Sequence, residues 1–290
     1  MKQIFTYTLA SLLALASAAT EASAQQFTKR KQYNSVGVTL TAMNYFGDIT
    51  PQPSIPSLRF GATRWNFGAT FTRRFTPNIS GRVGLTYGRI TGDDAKAADQ
   101  NDPDAKFRYN RNMNFRNNIA ELSVVGIFDF IPNRNTYIKR PDLVPYVLAG
   151  VAGFTGNPKG EDANGNIVAL QPLRTEGVSY SKSGFAIPFG GGARYKLNKS
   201  FDLGFEIIFR KTFSDYLDDV SSKYVDNSQL SSPAAQYFGR GITRDRGAQF
   251  INFDAPGSQR GKSDEDDWYV TAGFTVNYIL SPKVKSPKFR

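Results

Sequence analysis

The chain of 290 residues contains no cysteine and no histidine. Those two absences remove much familiar enzyme chemistry. A Ser-His-Asp or Cys-His nucleophile cannot be assembled, and neither can a zinc site with histidine or cysteine ligands. A chain without thiols also folds without disulfide machinery, which suits an oxidising compartment. Long apolar runs are missing too. Beyond the N-terminus none approaches the ~20 residues that a membrane-spanning helix requires. This excludes helical spans only. A membrane-spanning strand needs a lipid-facing residue at every second position, so a barrel tolerates the mean hydropathy of -0.39.

Glycine (26), phenylalanine (23) and tyrosine (14) are plentiful. Glycine with aromatic residues fits twisted strands and the aromatic girdles of a membrane barrel. The net charge is +11, and a pI near 9.7 raises nucleic acid as a partner. The basic residues are scattered, however, and the export signal takes the chain out of the cytoplasm. No nucleic acid is therefore expected. Outer-membrane lipid and lipopolysaccharide are the expected counterions for Lys and Arg at barrel rims.

Met1-Lys2 forms a short positive segment, residues 4–19 an apolar stretch, and Ala22-Ser23-Ala24 a small-x-small cleavage pattern. Residues 1–24 read as a signal peptide, with Gln25 as the mature N-terminus. Residues 25–34 read as a periplasmic arm, 35–280 as the barrel, and 281–290 as a basic periplasmic tail.

Period-two alternation marks the strands. From Trp268 the apolar face reads Trp268, Val270, Ala272, Phe274, Val276, Tyr278 and Leu280. The other face reads Tyr269, Thr271, Gly273, Thr275 and Asn277. Such alternation over about a dozen residues is the signature of a lipid-facing strand. The same rule predicts strands at 35–45, 65–75, 79–90, 119–130, 143–154, 183–197 and 201–210. Gly190-Gly191-Gly192 interrupts one of these and reads as a bulge or a close backbone approach.

Connections at 76–78, 131–142 and 198–200 are short or moderate. Those at 47–63, 91–117, 155–182 and 213–266 are long and polar. Short turns at one end and long loops at the other are the asymmetry of outer-membrane barrels. A soluble sandwich or a lipocalin-like barrel does not explain it. The fold class is thus an all-β, up-and-down transmembrane barrel of about eight antiparallel strands, with short periplasmic turns, long extracellular loops and both termini in the periplasm. The long segment 213–266 carries Tyr224, Tyr237, Phe238 and Phe253, and is expected to fold over the barrel mouth or to bind a ligand.

Thr271, Gly273, Val276 and Tyr278 fill, in order, the polar-x-Gly-x-x-apolar-x-aromatic pattern of a terminal strand read by the barrel-assembly machinery. Asp264-Glu265-Asp266-Asp267 reads as a solvated charge run, with a calcium site as the sharper alternative. Asp162-Ala163-Asn164-Gly165-Asn166 begins like a calcium loop, but its glycine is misplaced, so an Asn-Gly turn is expected. Arg82, Arg194, Glu206 and Arg210 face inward, and an eight-stranded barrel is only wide enough for its own side chains to fill. An ion-pair ladder is expected there. No catalytic residue, metal or cofactor is expected.

With the strands in order, the chain resembles the PorG-like outer-membrane barrels of the Bacteroidota type IX secretion system. The likeness spans most of the mature chain. It rests on Tyr45-Phe46-Gly47-Asp48, Trp65-Asn66-Phe67-Gly68, Val83-Gly84-Leu85-Thr86-Tyr87-Gly88-Arg89-Ile90 and Val144-Pro145-Tyr146-Val147-Leu148-Ala149-Gly150-Val151-Ala152. Its most distinctive stretch is Phe213-Ser214-Asp215-Tyr216-Leu217-Asp218-Asp219-Val220. The resemblance implies a non-enzymatic secretion component that contacts periplasmic ring components, a lipoprotein and its partner. Basic residues at the periplasmic face are the contact candidates: Arg134, Lys139, Arg140, Lys199, Lys283, Lys285 and Lys288. A surface-adhesion barrel and a solute channel are the alternatives.

Overall fold

The structure, a computed structural model, describes residues 31–49, 60–98, 106–240 and 253–281. The leader, most of the N-terminal arm, and the tail with Lys283, Lys285 and Lys288 lie outside the described residues.

Eight long strands form the wall: β1 (Asn34–Phe46), β2 (Arg64–Arg74), β3 (Ile79–Asp93), β4 (Asn114–Asp129), β5 (Leu143–Thr155), β8 (Ser183–Lys196), β9 (Phe201–Thr212) and β10 (Trp268–Leu280). All neighbours are antiparallel, in the order β3-β2-β1-β10-β9-β8-β5-β4. Pairing of β3 with β4 closes the ring. Closure leaves no unpaired edge, the condition for a sheet to sit in lipid. Two short strands, β6 (Pro158–Glu161) and β7 (Ile167–Ala169), form a hairpin that extends the sheet from the start of β4.

Alternation sets the faces. Val38, Trp65, Phe67, Leu85, Tyr87, Leu122, Val151, Phe185 and Phe274 lie exposed on the outer wall. Ser80, Arg82, Glu121, Glu206, Arg210, Thr271 and Thr275 are buried inside it. An apolar exterior around a polar interior is the solution that lipid outside and a closed lumen inside demand.

The structure decides between the two readings of the glycine run and departs from the sequence expectation at β3, β4 and Asp267. The Gly190-Gly191-Gly192 run carries no bulge. The β5–β8 and β8–β9 registers pass through it without a slip. The close approach is real: a Cβ on Gly190 would sit 2.1 Å from the Ile207 carbonyl. Next, β3 and β4 run further than expected, and Thr91 pairs with Arg116 and Asp93 with Asn114. Only 94–113 remains as connection there, and its described parts include short helices Asp94–Ala97 and Lys106–Arg111. Finally, Asp267 is fully buried and does not belong to a solvated run, although Asp264, Glu265 and Asp266 are exposed.

The Asn-Gly expectation is met. Asn164-Gly165 turns the β6–β7 hairpin, with Gly165 at φ +84° and the Asp162 carboxylate accepting from the Asn164 and Asn166 amides.

Candidate functional site: a filled lumen and a sealed mouth

Four ionic layers fill the described lumen. Nearest the short turns, Arg140 donates to Asp202 at 2.6 Å and to the carbonyls of Tyr137, Asn198, Lys199 and Phe201. Above it Asp129 accepts from both Arg74 and Arg194, the latter at 2.7 Å. At mid-height Arg82 meets Glu206 at 2.7 Å, and the Tyr146 hydroxyl donates to the same carboxylate. In the top layer Glu121 accepts from Arg210 at 2.5 Å and from the Tyr269 hydroxyl at 2.6 Å.

The strand order gives two of these bonds a special meaning. β3 and β9 stand four places apart in a ring of eight, as do β10 and β4. Arg82 to Glu206 and Tyr269 to Glu121 therefore cross the full diameter. Side chains that touch across the diameter at two levels close the bore. The expected ladder exists, and three of its carboxylates (Glu121, Asp129 and Asp202) were not assigned to it from the sequence. Their signal was available, since each occupies an inward position of a strand already recognised.

The mouth is sealed by a second, different assembly. Met43, Ile49, Ile90, Met113, Phe115, Leu217, Val220 and Tyr269 form an apolar cluster across it. Two motifs distant in sequence meet in this cluster, which also includes Tyr45. The Tyr45 hydroxyl lies 2.7 Å from Asp218 and 2.7 Å from Asp267. A phenol has one proton to donate, so one of the two contacts needs a protonated carboxyl as its donor. Burial pushes both carboxyls well above the ordinary range. Repulsion from Asp48 adds to this at Asp218, and repulsion from Asp218 adds to it at Asp267.

Two buried arginines hold the rest of the cap. Arg111 binds Asp94 at 2.8 Å and the Asp48 carbonyl at 2.9 Å. Arg260 binds Glu176 and the Asp219 carbonyl, each at 2.7 Å. Asp219 takes the left-handed conformation at φ 74°, while its carboxylate accepts from Thr175 at 2.6 Å and from Tyr180 at 2.5 Å. Burial raises Asp219 to about 6, with Arg260 opposing the rise. Burial also raises Asp215, whose carboxylate oxygens are both buried, to about 8. Glu176 moves the other way: Arg260 and the Ser221 amide hold it below its usual value in spite of burial. The segment 213–220 is thus a strap over the mouth. Tyr224 and Phe238 are buried as well, and Phe253 packs edge-on against Tyr224.

Among the described residues no group of three or more acidic side chains is arranged to hold a metal ion. The basic candidates at the short-turn end divide. Arg134, Lys139 and Lys199 are exposed. Arg140 is buried, its guanidinium committed to Asp202 and backbone carbonyls, so it presents nothing to a partner. In β10, Thr271 faces the lumen and accepts from Arg210 at 2.7 Å, while Val276 and Tyr278 face outward. A Cβ on Gly273 would lie 2.4 Å from the Leu40 carbonyl.

Solved barrels share this architecture at a distance. The outer membrane protein OprG from Pseudomonas aeruginosa aligns at 11% identity and a TM-score of 0.41, over 89% of this chain and 99% of its own. Ail, the attachment invasion locus protein of Yersinia pestis, solved with the heparin analogue sucrose octasulfate, aligns at 9% and 0.39, over 86% and 99%. The outer membrane enzyme PagL aligns at 11% and 0.31, over 86% and 99%. Likeness this distant carries no functional information. No protein with a curated description matches the chain. A family profile does match, over residues 20–234, most of the length. With that match the chain belongs to the family described as Domain of unknown function (DUF6089).

Proposed function

We propose that this protein is a non-enzymatic outer-membrane scaffold of a type IX secretion system, of the PorG-like kind, inserted by the barrel-assembly machinery through its last strand. In this reading the short turns face the periplasm and the long loops face outward. The observation that carries it is the closed bore: Arg82–Glu206 and Tyr269–Glu121 span the barrel, so nothing passes through it and its work is done at the rims. The exposed Arg134, Lys139 and Lys199 then form a basic collar suited to an acidic surface of the periplasmic ring.

Affinity capture on the detergent-solubilised barrel tests this. Ring components are expected to co-purify with the wild type and to be lost with Arg134→Glu, Lys139→Glu and Lys199→Glu combined. Absence of ring components, together with normal secretion in a deletion strain, sinks the proposal and favours a surface-adhesion barrel. Steady conductance in a planar bilayer favours a channel.

A further inference from the structure

The outer wall carries a cationic cleft just above the lipid-facing belt, between the tops of β2, β3 and β4. It encloses about 490 Å³ and is lined by Arg64, Arg89, Lys96 and Arg116, with Asp93 and Glu161 as the acidic side chains among the described residues. Both carboxylates are already engaged: Asp93 lies 3.6 Å from Lys96, and Glu161 lies 3.9 Å from Arg116. Arg64 donates to the Gly61 and Thr63 carbonyls, and Arg89 donates to the Asn118 side chain at 2.7 Å. Among the described residues neither Arg64 nor Arg89 meets a carboxylate. Among the described residues two guanidinium charges are therefore left over in one cleft.

Its height argues for the occupant. Arg89 is two residues beyond Tyr87 on the outward face of β3, about 7 Å further along the strand. Tyr87 and Trp65 are exposed aromatic residues at the upper edge of the apolar belt. The layer directly above such an aromatic edge is the headgroup layer. Thr91 pairs with Arg116, which sets Arg89 and Arg116 diagonally across neighbouring strands on that wall. Guanidinium groups spaced in this way form forked, charge-assisted hydrogen bonds with phosphate.

We propose that this cleft binds a phosphate of an outer-leaflet glycolipid, the headgroup of lipopolysaccharide. The proposal rests on the reading that the long loops face outward, and not on the secretion role. Because the chain has no cysteine, single-cysteine variants test the orientation by itself. An impermeant maleimide should label Asn164→Cys on intact cells and spare Lys199→Cys, and the reverse pattern overturns the orientation.

Binding is tested on purified, folded protein in detergent. The probes are bisphosphorylated lipid A, the same lipid stripped of phosphate, and inorganic phosphate, read by native mass spectrometry. Wild type should retain the phosphorylated lipid only. Arg64→Ala with Arg89→Ala, shown to be folded by its boiling-dependent gel shift, should bind it about tenfold more weakly or worse. Equal retention by the double variant, equal binding of the stripped lipid, or displacement of the lipid by inorganic phosphate overturns the proposal.

Discussion

Two zones of the same strands solve opposite problems. On the outward face of β3, Val83, Leu85 and Tyr87 give way to Arg89, Thr91 and Asp93. On β4, read towards its start, Val124, Leu122 and Ala120 give way to Asn118, Arg116 and Asn114. The switch occurs at one level, because Tyr87 pairs with Ala120. Above it most of the large inward residues are apolar: Ile90, Phe115 and Ile119 are all buried, with Asn117 among them donating to the Leu217 carbonyl. The backbone keeps one alternation throughout while the outer solvent changes from lipid to water. The side chains therefore exchange sides, and the apolar cluster of the mouth is the result.

The ionic content differs as sharply. In the described lumen, Arg74, Arg82, Arg140, Arg194 and Arg210 face Asp129, Glu121, Asp202 and Glu206, a near balance. In the described cap, Asp48, Asp94, Glu176, Asp218, Asp219 and Asp267 are buried with only Arg111 and Arg260. A balanced interior pairs each of its carboxylates with an arginine. An acid-rich one has to hold protons, and the bridging Tyr45 shows where one is held.

Glu206→Gln should have the largest effect. It strands Arg82 in the middle of the bore, at a cost of about 3–5 kcal/mol. Urea unfolding in lipid vesicles measures it. A paired Arg82→Met with Glu206→Met should recover most of the loss, because replacing both partners of a buried ion pair by apolar groups is often neutral. Loss of equal size in the paired variant breaks the contrast between the zones.

Arg260→Met should come next. It removes the partner of Glu176 and Asp219, but the damage should be confined to the cap. Limited proteolysis is expected to cut the segment 213–266 while the barrel keeps its boiling-dependent gel shift. Loss of that shift would show that cap and barrel unfold together.

The pH response should be the smallest effect. Asp215 and Asp219 are raised in the folded state, to about 8 and about 6. Stability from a raised carboxyl is present below its unfolded value and is lost as pH rises through the folded one. The strap should therefore grow more protease-sensitive from about pH 4 to about pH 8. Glu176, lowered in the fold, acts with the opposite sign and only in acid. A strap that tightens over that rise overturns the protonated cap.

Much of this was legible in the residues. Trp268 to Leu280 alternates apolar and polar residues in the sequence, and from Ala272 onward that alternation follows two unlike media, lipid and lumen. The tops of β3 and β4 were not legible, because their alternation changes sign where the solvent changes, and a reader following apolar-out stops there. Arg140 looked like its exposed neighbour Lys139, and Asp267 like Asp266. One-dimensional context does not say which member of a charge run a strand carries inward.

The sequence by itself determined the barrel, its strands, the asymmetry of its ends and the inward arginines, since each follows from local periodicity and turn chemistry. Only the tertiary structure decided which carboxylates those arginines meet, that two of the bonds span the bore, and that the Tyr45–Asp48 and Phe213–Val220 motifs close over the mouth. Pairing across a barrel depends on ring order and strand register. Those are set by the closure of the whole sheet, and no local stretch of the chain encodes them.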